Sequence, residues 1–140
     1  SCKSKCEICN KQVSALGANK TACIDHCHKT NKIRGILCNN CNAGLGSFND
    51  NIVLIKNAIK YLGKEDTQYK YYKWKRERNV KINKICPITG EKNNLVCDHN
   101  HKTGFIRGNI YNYINMGMGS FQDSIEILEK AIKYLEKKRE

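Results

Sequence analysis

Apolar residues recur at helical spacing twice along the chain, in DNIVLIKNAIKYL and in DSIEILEKAIKYL. Ile52, Ile55, Ala58, Ile59 and Leu62 fall on one face of the first stretch, and Ile125, Leu128, Ala131, Ile132 and Leu135 on one face of the second, so each predicts an amphipathic helix. Asp50 and Asp123 stand where N-caps are expected. Upstream of each helix, short β-branched runs flank a polar loop. TACIDH and NKIRGIL surround CHKT, NLVCDH and GFIRGNIY repeat the arrangement, and each pair predicts a hairpin. Between hairpin and helix, CNNCNAGLGSF is rich in glycine and predicts a short helical turn running into a loop.

The two halves are copies. Asp98, Arg107, Asn115 and Tyr134 follow Asp25, Arg34, Asn42 and Tyr61 by a constant 73 positions. More than half of positions 25–63 are identical to 98–136, which marks an internal duplication of one structural unit. The expected organisation is an α+β unit over 1–66, a connecting segment over 67–85 and a second unit over 86–140.

Composition narrows what such units can be. A chain of 140 residues divided in two leaves each half too little core to be stable alone, so a staple or a shared core is expected. Nine cysteines are many for this length. With no leader-like start and no apolar run of membrane-spanning length, they read as metal thiolates in an intracellular protein rather than as a disulfide framework. The formal charge of +12, from 25 Lys and Arg against 13 Asp and Glu, points to a polyanion, most often nucleic acid. Part of that charge lies in DTQYKYYKWKRERNVKINK, read as a bridging helix with Tyr69, Tyr72 and Trp74 packed inward. Lys73, Lys75, Arg76 and Arg78 there are either phosphate contacts or a solvated face.

Cys6-x-x-Cys9 and Cys38-x-x-Cys41 are two thiolate pairs, and four thiolates close a structural zinc site. The second copy keeps Cys86 but has Thr89, Tyr111 and Ile114 in place of the other three, so no zinc is expected there. Tyr111, Tyr113 and Ile114 offer apolar volume to fill the space. Cys2, Cys23, Cys27 and Cys97 default to buried thiols.

A polar set survives in both copies: Asp25, His26, His28 and Asn42, then Asp98, His99, His101 and Asn115. Asp and Asn supply oxygen ligands for a hard divalent ion, and a neighbouring His takes a proton from water near neutral pH. These are the parts of metal-assisted phosphodiester hydrolysis. Adjacent strand residues point to opposite faces, so the Asp and the next His share a site only where a loop or bulge turns one of them.

The arrangement resembles the phage recombination endonuclease VII family, a branch of the ββα-metal nucleases, also described as His-Me finger or HNH. The residues that carry it are Cys6, Cys9, Asp25, His26, His28, Arg34, Gly35, Cys38, Cys41 and Asn42, with Asp98, His99, His101, Arg107, Gly108 and Asn115 in the second half. The resemblance implies two fused ββα-metal finger units, with structural zinc in the first, forming a single-chain pseudo-dimer. It implies Mg²⁺ or Mn²⁺ on Asp25 and Asn42 and on Asp98 and Asn115. His26 and His99 become general bases, His28 and His101 assist near the scissile phosphate, and Arg34 and Arg107 contact DNA. Two features depart from the pattern: Cys27 and Asn100 occupy the middle of the DHDH motif, where the family carries a second carboxylate. The implied activity is DNA endonuclease action on branched substrates such as Holliday junctions, in the cytoplasm of a bacterial or phage-infected host. A homing, restriction or nicking endonuclease is the enzymatic alternative, and a non-catalytic zinc module binding nucleic acid is the alternative from another class.

Overall fold

The computed structural model describes residues 3–14, 21–63, 83–104 and 106–137. The basic segment with Tyr69, Tyr72, Lys73, Trp74, Lys75, Arg76 and Arg78 lies outside the described residues, as does Cys2. The first half opens with a small antiparallel ribbon, β1 (Lys3–Lys5) against β2 (Gln12–Ser14). A second hairpin follows, β3 (Ala22–His26) against β4 (Ile33–Cys38), and then helices α1 (Asn39–Ser47) and α2 (Ile52–Leu62). In the second half the same series recurs as β5 (Leu95–His99), β6 (Ile106–Tyr111), α3 (Asn112–Ser120) and α4 (Ile125–Glu136). The class is α+β, with the hairpins where the β-branched runs lie.

The glycine-rich stretch departs from expectation. It forms a full helix in both halves, in which one glycine of each, Gly44 and Gly117, faces a neighbour rather than loosening a loop. The Phe121 ring packs on Gly44 and the Phe48 ring on Gly117; a Cβ added at either glycine would meet that ring within 3.0 Å. The two rings, both fully buried, lie 6.1 Å apart, and α1 packs on α3 as α2 packs on α4. Leu45, Ile55, Ala58, Met118, Leu128, Ala131 and Ile132 complete one apolar cluster drawn from both halves. Ile52, Ile59, Leu62 and Leu135 of the expected helix faces sit half-buried at its edge, and Ile125 is half-buried too.

Capping is displaced by one residue. The Asn51 side chain accepts from the Val53 and Leu54 N–H groups, and Ser124 accepts from the Ile127 N–H, so these residues and not Asp50 and Asp123 cap α2 and α4. Asp50 and Asp123 instead sit at φ +53° and +52°, each preceded by another left-handed residue. That pair of residues reverses the chain between helices and turns both carboxylates back toward the hairpin.

The outer edge of each hairpin is closed by different means. The Glu7 N–H donates to the Ile36 carbonyl at 3.0 Å, and its carboxylate accepts from the Ile36 N–H at 2.6 Å. In the second half the Asn83 side chain does both jobs, accepting from the Asn109 N–H and donating to its carbonyl, each at 2.8 Å. Either way a strand edge that would otherwise expose open backbone groups is satisfied.

Because one core serves both halves, Phe121→Ala is expected to cost about 3–5 kcal/mol and to do so in a single cooperative transition. Urea unfolding followed by fluorescence and by far-UV dichroism checks this; two separated transitions would mean that the halves are independent.

Candidate active site and metal centre

The question of how an Asp and the next His share a site is answered by a bulge. Asp25 pairs with Gly35 but His26 pairs with Ile33, so Arg34 is the extra residue on β4. The second hairpin repeats this, with Asp98 opposite Gly108, His99 opposite Ile106 and Arg107 extra. The bulge brings each Arg onto the Asp side of its hairpin. Arg34 Nε donates to Asp25 Oδ2 at 2.8 Å and its Nη2 to Oδ1 at 3.0 Å; Arg107 holds Asp98 at 2.7 and 3.0 Å. The same Nη2 atoms reach Asp50 Oδ2 at 3.1 Å and Asp123 Oδ2 at 3.0 Å.

Asp25 and Asp98 are the buried acids of the described chain, 4% and 2% exposed. Each receives one more donor, and that donor comes from the other half. Tyr134 Oη on α4 donates to Asp25 Oδ2 at 2.7 Å, and Tyr61 Oη on α2 donates to Asp98 Oδ2 at 2.8 Å. Burial, and then the Asp98 charge, push the Tyr61 phenol above its ordinary range, so it remains a donor. Burial opposes the charge on Arg34 and Arg107, yet hydrogen bonds to the paired carboxylates hold both guanidinium groups above their usual value.

In the first half a cavity of about 210 Å³ is lined by Asp25, His26, His28, Asn42 and Asp50, with Ile24, Leu45 and Gly46 as its apolar side. All four expected polar residues of that copy therefore converge. The His26 and His28 ring centroids are 5.0 Å apart, and His28 Nδ1 lies 3.5 Å from Asp50 Oδ2. Asp50 Oδ1 is buried with no hydrogen-bond partner among the described residues, an acceptor left over in an oxygen-lined cavity. In the second half His101, Arg107 and Asp123 line an opening of about 580 Å³. His101 Nδ1 lies 3.2 Å from Asp123 Oδ2, and the His99 and His101 rings are 4.5 Å apart. Asn115 occupies the fourth position of α3, as Asn42 does in α1. Burial, reinforced by the adjacent His101, pushes the His99 imidazole below its ordinary value and favours its neutral, proton-accepting form.

Cys6, Cys9, Cys38 and Cys41 bring their sulfurs within 4.8 Å of one another, the one such cluster of metal-ligating side chains among the described residues. A zinc tetrahedron with Zn–S bonds of about 2.3 Å has S–S edges of about 3.8 Å. Cys9 Sγ and Cys38 Sγ lie 3.8 Å apart. The donor set and its spacing fit zinc. A hydrogen bond from Cys41 pulls the Cys6 thiol down to about 4 against its burial, and the same contact pushes Cys41 up.

The second half keeps the knuckle without the ligands. Cys86 N–H reaches the Glu91 carbonyl at 2.8 Å as Cys6 N–H reaches Lys11, and Gly90 takes the left-handed turn that Asn10 takes in the first half. Ile114 is buried where Cys41 would stand and Tyr111 is half-buried, but Tyr113 is 56% exposed and fills nothing. Cys23, Cys27 and Cys97 are half-buried rather than buried. Cys23 donates to Asn39 Oδ1, and Thr30 together with the loop N–H groups lowers Cys27 to about 7.

Arg34 and Arg107, expected at the DNA, have side chains 10% and 12% exposed, and the Nε and Nη2 groups of each donate to carboxylates. Tyr61, Tyr134, Asp50 and Asp123 were missed as site residues. Their signal was present: all four recur at the 73-residue offset, in AIKYL and just after GSF. No helix of the described residues is long and apolar enough to cross a membrane.

The sequence profile of the family described as recombination endonuclease VII matches the chain twice, over residues 1–64 and 65–137. Among curated proteins, the chain is 44% identical over 59 residues to the Gene 59 protein of Mycobacterium phage L5, a match covering 41% of this chain and 34% of that protein. The Gene 59 protein of Mycobacterium phage D29 is 43% identical over 61 residues, covering 43% of this chain and 35% of its own length. The match thus spans about a third of these relatives. No solved structure matches the chain significantly.

One tightly held zinc per chain is the expected content by elemental analysis, lost in Cys41→Ser and retained in Cys86→Ser. A stoichiometry of two, or zinc retained by Cys41→Ser, would contradict the assignment.

Proposed function

Since the chain belongs to the recombination endonuclease VII family, in two tandem copies, we propose that it is a divalent-metal-dependent DNA endonuclease carrying two active sites in one polypeptide. The observation that carries this reading is the first cavity, where Asp25, Asn42 and two imidazoles meet beside the unpartnered Asp50 Oδ1. Such an oxygen-rich lining suits Mg²⁺ or Mn²⁺. Asp25 and Asn42 would hold the ion in the first unit, Asp98 and Asn115 in the second. When bound, the ion supplies charge compensation and polarisation at the scissile phosphate.

The chain's own residues do the rest. His26, exposed at the cavity rim, takes a proton from water; the hydroxide attacks phosphorus and the P–O bond to the leaving oxygen breaks. His28, steered by Asp50, assists near the scissile phosphate. Arg34 serves by fixing Asp25 and leaves the phosphate backbone to the remaining basic residues, Lys73, Lys75, Arg76 and Arg78 among them. The charge of +12 favours a polyanionic duplex at moderate salt.

The units 1–66 and 86–140 then act as a single-chain pseudo-dimer of ββα-metal fingers joined through 67–85, working inside the cell. Two similar sites in one rigid body suit a substrate with two equivalent strands, which favours branched DNA such as a Holliday junction.

The test is cleavage of supercoiled plasmid and of a four-way junction in Mg²⁺. The wild type is expected to cut both. His26→Ala and His99→Ala are each expected to convert paired cuts into nicks, and the double variant to lose about 10²-fold or more in rate. Equal rates on linear duplex and junction would reject the branched-DNA assignment alone. Binding without cleavage in every divalent ion would leave a zinc-containing nucleic-acid-binding module.

A further inference from the structure

We infer that Tyr61 and Tyr134 are positioning residues that act across the duplication, each setting the metal-binding carboxylate of the opposite unit, so that neither site is complete within its own half. The inference rests on the metal-site reading above and goes beyond it, since the unit's own motif contains no such partner.

The hydrogen bonds are crossed. Tyr134 of the second unit donates to Asp25 of the first, and Tyr61 of the first donates to Asp98 of the second. A carboxylate oxygen has about two lone-pair sites. Among the described residues, Oδ2 of each Asp takes Arg Nε and Tyr Oη, whereas Oδ1 takes the Arg Nη2 alone. The tyrosine therefore decides which oxygen has a lone pair to offer a cation. A buried carboxylate held only by the fork of its own arginine would present either oxygen.

A second observation is independent of the hydrogen bonds. The Arg-Gly pair recurs in both hairpins, and no role in chemistry accounts for its glycine. A Cβ at Gly35 would lie 3.1 Å from the Tyr134 ring, as well as against the Glu7 carboxylate. A Cβ at Gly108 would lie 3.4 Å from the Tyr61 hydroxyl. Each glycine thus lies under two side chains at once, the one that closes the strand edge (Glu7 over Gly35, and Asn83 Oδ1, 3.3 Å from a Cβ at Gly108) and the tyrosine of the other unit.

Mn²⁺ binding to the zinc-loaded full chain, counted by electron paramagnetic resonance, tests this without recourse to activity. The parent is expected to bind two ions and to lose one in Asp25→Asn or in Asp98→Asn. Tyr134→Phe is expected to weaken one ion by about tenfold, the low end for a hydrogen bond to a charged group. That loss should disappear in the Asp25→Asn background and persist in Asp98→Asn, and Tyr61→Phe should give the mirror result. Unchanged binding, or equal weakening of both ions, overturns the crossed assignment, because a general loss of stability cannot choose between sites. If neither Asp→Asn variant loses an ion, the metal-site reading itself fails and takes this inference with it.

Discussion

A carboxylate removed from water has to be paired, and the architecture around Asp25 and Asp98 follows from that requirement. Leaving such a charge without partners costs about 3–5 kcal/mol, a large share of what a chain of this size has to spare. Its own hairpin can supply one partner only by bulging, since on a regular strand Arg34 and Asp25 would not lie side by side. The bulge delivers a bidentate arginine, and Asp50 and Asp123, turned back by left-handed residues, spread the remaining charge of that arginine. The last donor has to come from outside the unit. Each half therefore depends on the other at its most polar point as well as in its apolar core.

The two copies stabilise the same knuckle by different physics. In the first, four sulfurs gather at metal-ligand spacing; in the second, Cys86 remains while Ile114 occupies the interior as ordinary core. The exchange is feasible because the space lies beside a core the copies share, so an apolar side chain there finds neighbours on every side. The strand edge follows the same logic, with a glutamate in one copy and an asparagine in the other meeting the same two backbone groups.

The periodic signals were legible in the sequence. The β-branched runs around a polar loop marked the hairpins, and the apolar faces of α2 and α4 marked the helices, because these depend on side chains a few positions apart. The four thiols were legible from spacing, and the polar set from its repetition. The nine-residue helices α1 and α3 were not, since local propensity penalises Gly44 and Gly117 and only the opposing Phe rings explain them. Asp50 was misjudged as a cap for a related reason: an Asp one residue before a capping Asn is locally equivalent to it, and the choice is made by Arg34 across the turn. Tyr61 and Tyr134 were invisible to a reading unit by unit, because their partners lie 37 and 109 positions away in the other copy.

The crossing of Tyr61 and Tyr134 explains which positions the copies still share. A residue that serves its own unit can change in one copy alone, provided its immediate neighbours adjust, and Cys38 against Tyr111 and Cys41 against Ile114 have done so. A residue that serves the other unit is bound by a contact reproduced twice with the roles exchanged. Gly44 must accept Phe121 while Gly117 accepts Phe48, and Gly35 and Gly108 lie against Tyr134 and Tyr61 as well as against the edge residues Glu7 and Asn83. These glycines, phenylalanines and tyrosines are identical between copies. The sameness of Asp25, Arg34 and Asp50 with Asp98, Arg107 and Asp123 belongs with them, because the crossed tyrosines join the two ion-pair networks to the opposite unit. In this chain, identity at the 73-residue offset marks both the polar site and the surface on which each half completes its twin.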